Sequence, residues 1–395
     1  MTSIHSSLPG GFTANNQVTL IRGGRAYFDT VLRLIGEARE CIYIRVYLFA
    51  EDSTGQRVAD ALKRAAQRNV AVYLLADGYV SQGLSKHFIQ QLRAAGVHFR
   101  YFEPLFKSQK FYLGRRLHEK VIVTDHHYAL VGGINIADRY NDINDIPAWL
   151  DFALLAEGEI AKLLCIHCWK GWQLLTSKKT RNFCLSNSPP VPFPQQNSGV
   201  VIRMRRNDWV KRRNEISRSY VAMLRNAEQE ITILCSYFLP GKIIRKSMLQ
   251  ARKRGVRIRV IAAGKSDVMI SKYAERWLYN WLLRAGIELY EYQDSILHGK
   301  LAVCDDNWMT IGSYNINNIS AYASIELNLE VRNPTFTKKT RKELDQIIIN
   351  NSVRILPDEF AQKTTLVKQL VRWLSYQLIR VLLYLFTFRY TKENP

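Results

Sequence analysis

Two histidines of this 395-residue chain occur in the same arrangement with lysine, aspartate and asparagine. In each copy the lysine follows the histidine by two positions, the aspartate by seven and the asparagine by seventeen. The copies are His118, Lys120, Asp125 and Asn135, and His298, Lys300, Asp305 and Asn315. The chain has only eight histidines, and duplication of a scaffold alone would preserve apolar positions better than these polar ones. The repeated pattern therefore predicts a chemical site.

These residue types suit cleavage or transfer at a phosphodiester. A neutral imidazole can attack phosphorus, and a protonated imidazole can donate a proton to the leaving oxygen. Because residues i and i+2 of a strand point to one face, each histidine is expected to project together with its lysine. Two lysines and two asparagines can then hold phosphoryl oxygens whose charge changes in the transition state.

Asp125 and Asp305 complete the motif, and each precedes a turn-like sequence. We count both with the catalytic motif but expect them to act mainly as supports at a strand end. The small residues before each asparagine are expected to let the backbone approach a ligand closely. No cluster of metal-binding carboxylates accompanies the motif in the sequence, so we predict a metal-free reaction without a cofactor.

The sequence around the two motifs is itself a repeat. Runs rich in β-formers, such as CIYIRVYLF and ITILCSYFL, alternate in both halves with helical stretches rich in Ala, Arg and Lys. This alternation predicts an α/β fold with helices on the faces of each sheet. The Pro-, Ser- and Gln-rich segment 186–199 is predicted to be a linker between an N-terminal lobe, 1–185, and a C-terminal lobe, 200–355.

Composition excludes a disordered chain, because 47% of the residues are hydrophobic and 23% are charged. The chain has 56 lysines and arginines against 34 aspartates and glutamates, so the net charge is 56 − 34 = +22. A surplus of this size favours a polyanionic partner. The charge alone does not distinguish nucleic acid from an anionic membrane surface.

Two basic stretches leave the same choice open. The run RMRRNDWVKRRNE at 203–215 places Trp209 among cations, which is typical of a nucleic-acid groove or of a solvated segment beside an anionic membrane. The sequence PLFKSQKFYLGRR at 104–116 has no equivalent in the second half. Its aromatic and basic residues suit the bilayer interface, and an ordinary packed loop is the alternative.

The six cysteines are scattered, and most lie in apolar runs. This usage predicts buried thiols in a reducing compartment rather than a disulfide framework. Cys165 and Cys168 form a CxxC that encloses His167. Because a closed zinc site needs four ligands and no second pair is present, we interpret this CxxC as part of an amphipathic helix.

The two ends of the chain bear on localisation. The N-terminus lacks the basic and apolar regions of a secretory signal. Residues 356–395 are predicted to form an amphipathic, interfacial helix, because charges interrupt the apolar run at 366–388. The apolar arc contains Leu370, Leu374, Leu378, Val381, Leu382 and Leu385, and the polar arc contains Lys368, Gln369, Arg372, Tyr376 and Arg380. The alternative is that the apolar arc packs on the protein's own core.

The doubled HxKxxxxD pattern with GGIN and GSYN resembles the phospholipase D superfamily, and the similarity covers about residues 17–331. Longer stretches resemble bacterial cardiolipin synthases of the B type. They are IGEARECIYIRVYLF, LLADGYVSQGLS, LHEKVIVTD, FLPGKIIRKSMLQARKRGVRIRVI and LHGKLAVCDDNWMTIGSYN. Many other cardiolipin synthases carry two N-terminal membrane helices, which this sequence, like the B type, lacks.

The resemblance implies two α/β/α-sandwich lobes in a pseudo-twofold arrangement with one shared active site. It implies that His118 is the nucleophile of a phosphohistidine intermediate and that His298 is the general acid and then the base. Lys120, Lys300, Asn135 and Asn315 would hold the phosphoryl oxygens. Asp151 and Glu326 match the family's acidic residues that orient a histidine. Tyr314 departs from the family pattern, since a small residue often stands there, and its ring could narrow the pocket.

The function implied is phosphatidyl transfer between two phosphatidylglycerol molecules, which yields cardiolipin and glycerol. Phospholipid hydrolysis and a superfamily nuclease are the alternatives, and a membrane scaffold with a degenerate site is disfavoured by the intact motifs. The expected partner is an anionic phospholipid rather than nucleic acid. The expected location is the cytoplasmic face of the bacterial inner membrane, with peripheral attachment.

Overall fold

The structure is a computed structural model that describes residues 10–103, 115–176, 180–185, 199–317, 320–321, 324–362 and 364–392, with side chains through residue 382 in the last helix. Most of the predicted interfacial loop at 104–116 and of the predicted linker at 186–199 lies outside the described residues.

The first half of the chain builds one sheet and its covering helices. Its elements are β1 (Asn16–Arg22), α1 (Arg25–Glu37), β2 (Cys41–Val46), α2 (Ser53–Gln67), β3 (Ala71–Asp77), α3 (Lys86–Ala94), β4 (His98–Phe102), β5 (Arg116–Leu117), β6 (Val121–Thr124), β7 (Tyr128–Gly132), β8 (Phe152–Gly158) and α4 (Glu159–Gln173). A short 3₁₀ helix at Asp138–Tyr140 lies between β7 and β8.

The second half repeats this order and then extends it. Its elements are β9 (Val201–Asp208), β10 (Arg213–Asn214), α5 (Glu215–Asn226), β11 (Glu230–Cys235), α6 (Lys242–Lys253), β12 (Arg257–Ala263), α7 (Met269–Arg284), β13 (Glu288–Tyr292), β14 (Lys300–Cys304), β15 (Trp308–Gly312), β16 (Ser324–Arg332), α8 (Pro334–Asn351), β17 (Ser352–Ile355), α9 (Pro357–Gln362) and α10 (Leu366–Lys392).

The two sheets have the same topology. The first has the strand order β1-β8-β7-β6-β2-β3-β4, and the second contains the equivalent order β9-β16-β15-β14-β11-β12-β13, with β10 and β17 added at its edges. In both, the βαβα units pair in parallel, as β2 with β3 and β11 with β12. The predicted α/β class and the two-lobed arrangement are confirmed.

Apolar side chains explain why the sheets stack. Strand β2 is buried at every position, as expected for a parallel strand that is covered on both faces. Helices α1–α3 cover one face of the first sheet, and helices α5–α7 cover the corresponding face of the second. The remaining faces share one continuous core, in which Val123 and Leu154 of the first half join Leu301 and Leu329 of the second.

A buried charge cluster ties the first motif to helix α4. Glu119, between the motif's histidine and lysine, is fully buried and accepts hydrogen bonds from Arg45 Nε at 2.7 Å and His167 Nε2 at 3.0 Å. Burial alone would raise the pKa of Glu119, but Arg45 and His167 lower it overall. Gly171 leaves space for this arginine, since a Cβ there would overlap the Arg45 guanidinium. His167 of the CxxC is thus a partner of the motif strand.

The prediction that the cysteines form no disulfide is wrong at one pair. Cys165 in α4 is disulfide-bonded to Cys184, nineteen residues later in a short 3₁₀ helix. The sequence around Cys184 has no periodic pattern, so its return to α4 was not visible in the sequence. Among the described cysteines, Cys41, Cys168, Cys235 and Cys304 are free and buried, as expected.

The basic run at 203–215 is less solvated than the sequence indicated. Its first part belongs to strand β9, which pairs with β16 over residues 201–207. Arg203 and Arg205 both bond to the buried carboxylate of Glu330, and Arg206 lies 3.8 Å from Glu215. Much of the charge in this run is therefore neutralised within the protein.

Helix α10 packs beside α7, and the leucine arc is not the face that contacts the protein. Of the predicted polar arc, Arg372 is buried and Tyr376 half-buried, whereas Lys368, Gln369 and Arg380 are exposed. Arg372, Ser375 and Ile379 are buried, whereas Leu374 and Val381 are 52% and 54% exposed. Arg372 donates to Thr364 Oγ1 at 2.9 Å and lies over the Phe360 ring. The alternative in which the leucine arc packs on the core is therefore wrong. Among the described residues, no helix combines the length and hydropathy needed to cross a bilayer.

We predict that Glu119→Gln destabilises the fold strongly. The substitution leaves Arg45 and His167 buried without a carboxylate, and breaking a buried ion pair in this way costs about 3–5 kcal/mol. Urea unfolding of the full chain measures the loss. The control is Glu37→Gln, which removes an exposed pair with Arg33 and should leave the unfolding midpoint unchanged. Equal midpoints for the two variants would contradict the structural role of Glu119.

Candidate active site

The two histidines lie in extended segments that lead into equivalent strands. His118 and Lys120 precede β6, and His298 precedes β14, which begins at Lys300. The sequence predicted that each histidine lies on a strand together with its lysine. In the structure the strands begin later, at Val121 in the first half and at Lys300 in the second. Both histidines face one cavity of about 780 Å³ between the lobes, and Asn135 and Asn315 line it as well.

Short parallel contacts between the lobes bring the motifs together. Strand β5, directly before His118, pairs with the start of β16, and the His118 backbone N–H donates to the Ile325 carbonyl at 3.0 Å. In the equivalent place, the backbone N–H of His298 donates to the Leu150 carbonyl at 2.8 Å. Ile325 is followed by Glu326, and Leu150 is followed by Asp151. Each histidine therefore lies next to an acidic residue of the other lobe.

Those residues are the two predicted orienting carboxylates, and they act across the lobe interface. Glu326 Oε2 lies 2.9 Å from His118 Nδ1, and Asp151 Oδ2 lies 2.6 Å from His298 Nδ1. Both carboxylates are buried. A carboxylate on Nδ1 makes that nitrogen the N–H donor and leaves Nε2 as the reactive nitrogen.

Burial sets the protonation states in this pocket. It lowers the pKa of His118 although Glu326 acts in the opposite direction, and with Lys300 it lowers the pKa of His298 well below the usual value. Burial also raises the pKa of Asp151 to about 6. Near neutral pH both imidazoles are therefore neutral, and the contact between His298 and Asp151 is an N–H to carboxylate hydrogen bond. A bound phosphodiester anion would favour protonation of a neighbouring imidazole.

The two lysines lie beneath the cavity. Lys120 Nζ donates to the carbonyl of His118 at 2.7 Å, and Lys300 Nζ donates to the carbonyl of His298. Burial lowers the pKa of Lys120 to about 7 against the raising effect of Glu326, and it lowers the pKa of Lys300 as well. Each amine thus braces the backbone of its own histidine, and its remaining protons are donors for a phosphate.

The two asparagines are held by hydrogen bonds at the cavity wall. Asn135 Oδ1 accepts from the Leu48 backbone N–H at 3.1 Å, and its Nδ2 donates to the Tyr140 hydroxyl at 2.9 Å. Asn315 Oδ1 accepts from the Ser236 hydroxyl at 2.7 Å. With its oxygen engaged, each amide can turn N–H groups toward an anion.

The motif aspartates lie at the far ends of β6 and β14. Asp125 accepts three backbone N–H bonds from residues 39–41, at 2.8–2.9 Å. Asp305 accepts the equivalent three from residues 228–230, at 2.9–3.1 Å. Neither lines the cavity. Both aspartates thus act in the structure as supports that join the motif strand to β2 or β11.

Several aromatic residues of the site were not predicted. The Tyr47 ring lies edge-on to His118 with centroids 4.7 Å apart, and the Tyr140 hydroxyl lies 3.4 Å from His298 Nε2. Trp149 also packs beside His298. Tyr47 and Tyr237 hold equivalent places in YLF and YFL of the repeat, and both line the cavity, so the repeat could have identified this pair.

The small residues before the asparagines have a different purpose from the one expected. A Cβ at Gly133 would lie 2.5 Å from the Asp151 carboxylate, so glycine leaves room for the orienting group rather than for a ligand. At the equivalent position Ser313 donates its hydroxyl to Glu326. The expected narrowing by Tyr314 is wrong, since its buried ring stacks on Tyr220 in the second-lobe core, away from the cavity.

We predict that Gly133→Ala lowers turnover about 10²-fold, because the methyl group displaces Asp151 and tilts His298 from its working position. Steady-state rates with a phosphodiester substrate measure the effect, and the unfolding midpoint shows whether the fold is kept. Gly36→Ala is the matched control, since no atom lies within 4 Å of the added Cβ. Wild-type turnover in a folded Gly133→Ala protein would refute the close approach.

Comparisons with known proteins agree with this geometry. Residues 31–146 and 220–348 match a family model described as the cardiolipin synthase, PLD-like domain. Cardiolipin synthase B of Shigella flexneri is 34% identical over 336 residues, which cover 84% of this chain and 80% of that protein. Cardiolipin synthase 1 of Bacillus cereus is 27% identical over 95% of this chain and 72% of its own length.

A solved structure shows the same fold. The phosphatidylserine synthase of Haemophilus influenzae Rd KW20 superimposes with a TM-score of 0.72 at 15% identity, over 94% of this chain and 95% of that one. Its β-sheets and helices thus follow the two-lobed architecture described above.

Proposed function

Because the chain belongs to the cardiolipin synthase family of phospholipase D-like proteins, we propose that it transfers a phosphatidyl group from one phosphatidylglycerol to another. One observation carries the proposal: two histidines, each bonded through Nδ1 to a carboxylate of the opposite lobe, face one cavity. This arrangement presents two Nε2 atoms to one phosphate, as an in-line displacement requires.

The reaction proceeds in two displacements. In the first, His118 Nε2 attacks phosphorus, a P–N bond forms, and the P–O bond to glycerol breaks as His298 donates its proton to the leaving oxygen. In the second, His298 accepts a proton from the hydroxyl of another phosphatidylglycerol. That oxygen attacks phosphorus, the P–N bond breaks, and cardiolipin forms. His298 thus ends the cycle protonated, as it began.

The polar groups around the histidines supply charge stabilisation. Substrate brings an anion next to His298 and favours its protonated form, which the free site disfavours. Lys120 and Lys300 neutralise the phosphoryl oxygens, and the amides of Asn135 and Asn315 donate to them. The pair of imidazoles titrates jointly, because each proton position affects the other.

We expect purified protein mixed with phosphatidylglycerol vesicles to produce cardiolipin and glycerol in equal amounts. His118→Ala should abolish both products, since it removes the nucleophile, and lipid analysis by mass spectrometry measures them. A phosphatidylglycerol and phosphatidylethanolamine mixture identifies the acceptor.

Two results would contradict the proposal, one from this lipid assay and one from an assay with single-stranded DNA. Phosphatidic acid as the sole lipid product would favour hydrolysis over synthesis. Cleavage of single-stranded DNA that His118→Ala abolishes would favour a nuclease, although the paired arginines of β9 weaken the basic groove which that function needs.

We propose that helix α10 lies at the surface of an anionic membrane on the cytoplasmic face. Its exposed apolar residues include Leu374, Leu378 and Val381, and no described protein element covers them. Tyr376, Ile379 and Arg380 of the same helix line the catalytic cavity. A helix inserted at the interface by this face would therefore place the cavity mouth at the lipid headgroups.

We predict that Leu374→Ser combined with Leu378→Ser weakens sedimentation with phosphatidylglycerol vesicles by about tenfold or more. Each buried leucine contributes about 1.5–3 kcal/mol to transfer from water, and 1.4 kcal/mol corresponds to a factor of ten. The control is Ile349→Ser on α8, which is also exposed, at 72%, but lies away from α10. Equal binding by both variants and the wild type would refute this membrane surface.

A further inference from the structure

The catalytic cavity is more cationic than the transfer of one phosphate requires. Besides the histidines and asparagines, its lining includes one carboxylate, Asp267, which accepts the hydroxyl hydrogen of Tyr237. The cationic residues of the lining are Arg116, Arg139, Lys242, Arg245 and Arg380. Lys120 and Lys300, the motif lysines, are not among them. The surplus therefore comes from residues other than the motif lysines.

Three of these cations form no ion pair within the part of the chain that the structure describes. Arg116 lies 3.7 Å from Asp77, and Arg139 packs over the rings of Tyr140 and Trp149. Among the described residues, no carboxylate forms an ion pair with Lys242, Arg245 or Arg380. These three come from two elements, α6 and α10, and all three line the cavity.

The two halves of the repeat differ at the N-terminus of one pair of equivalent helices, α2 in the first half and α6 in the second. In the first lobe the start of α2 is neutralised, since Asp52 accepts from the Gly55 N–H at 3.0 Å and Asp138 from the Thr54 N–H at 2.7 Å. The equivalent helix α6 follows Gly241, which has no capping side chain, and it carries Lys242 and Arg245 in its first turn. Cations there are electrostatically unfavourable in the free protein. An anionic ligand would offset that cost.

Arg245 is held in place but incompletely satisfied. Its guanidinium lies 5.7 Å from the centroid of the Trp281 ring, which fixes its direction. Its Nε is buried and makes no hydrogen bond in the described structure. Arg245 lines the cavity, so the other N–H groups of its guanidinium are donors for an anion there.

We propose that Lys242, Arg245 and Arg380 bind the phosphodiester of the acceptor lipid, at a second anion site beside the catalytic one. This inference rests on the proposed function, because a lipid acceptor brings its own phosphate into the cavity whereas water or a small alcohol does not. The apolar side chains of Ile270, Ile379 and Leu382 line the cavity next to these cations and suit the start of the acyl chains. The second site thereby selects an anionic lipid over water as acceptor.

The test compares two reactions of the same phosphohistidine. Vesicles of phosphatidylglycerol are supplied with radiolabelled free glycerol, and the rates of cardiolipin formation and of glycerol exchange into phosphatidylglycerol are measured together. Exchange needs the catalytic groups and a neutral acceptor, whereas cardiolipin formation also needs the second phosphate. The ratio of the two rates therefore reports the acceptor site and is independent of the amount of folded enzyme.

We expect Lys242→Gln with Arg245→Gln to lower the ratio of cardiolipin to exchange by about tenfold or more, since each charge-assisted hydrogen bond to phosphate contributes about one such factor. Arg245→Lys should keep most of the ratio. Lys246→Gln is the control for charge on the same helix, because it removes one positive charge and does not line the cavity. Its ratio should equal that of the wild type.

Two results would overturn the second anion site. An unchanged ratio in the double variant would show that these cations do not distinguish the acceptors. An equal fall in the ratio for Lys246→Gln would show that general attraction to the anionic vesicle causes the effect. Failure of the proposed function is seen separately, since a wild-type enzyme that exchanges glycerol but forms no cardiolipin reveals it before any variant is made.

Discussion

The hydrogen bond between each motif histidine and a carboxylate of the other lobe is the interaction on which the geometry of the candidate site depends. Glu326 bonds to His118 and Asp151 to His298, so neither lobe contains a complete pair. The parallel contact of β5 with β16, and its counterpart at Leu150, set the distances. The shared apolar core then has a chemical consequence, because any shift between the sheets misaligns both imidazoles at once.

Electrostatics follow from this burial. A dry pocket that contains two lysines and two imidazoles disfavours every added proton, which explains the lowered pKa of both histidines. The cations that give the net charge of +22 also differ in their surroundings, since some are paired within the protein and others line the cavity. Arg45, Arg203 and Arg205 are neutralised by buried glutamates, whereas Lys242 and Arg380 face the cavity mouth without an anionic partner among the described residues. Net charge thus indicated a polyanionic partner without showing which cations are available to it.

The sequence predicted those features that are encoded locally or by repetition. The duplicated polar residues identified both histidines, both asparagines and the strand-end role of Asp125 and Asp305. Duplication of a scaffold alone preserves apolar positions, so polar residues that are kept in both copies indicate a chemical site. The crossed pairing could not be predicted, since it joins residues 116–117 to 324–325, which are distant in the chain. The roles predicted for Gly133 and Tyr314 were wrong for the same reason. Gly133 lies against the Asp151 carboxylate and the Tyr314 ring stacks on Tyr220, so neither residue lines the cavity.

Amphipathic patterns were only half informative. The leucines of α10 do share one face, but the predicted polar arc is not the contact face as a whole, since Arg372 is buried and Lys368 is exposed. Periodicity does not show which face contacts the protein. Arg372 finds Thr364 and the Phe360 ring at the contact, and this local complementarity reverses the usual orientation. The disulfide of Cys184 likewise depends on how a non-periodic segment folds back on α4.

The division of each catalytic pair between two lobes also has a consequence in time. A ribosome completes the first lobe before Glu326 has been synthesised, so the nascent chain holds His118 without its orienting group and Asp151 without its imidazole. A half-made protein therefore contains neither histidine–carboxylate pair. Both pairs are complete only when β16 of the second sheet is in place, so under the proposed function unfinished or truncated chains would lack the assembled site.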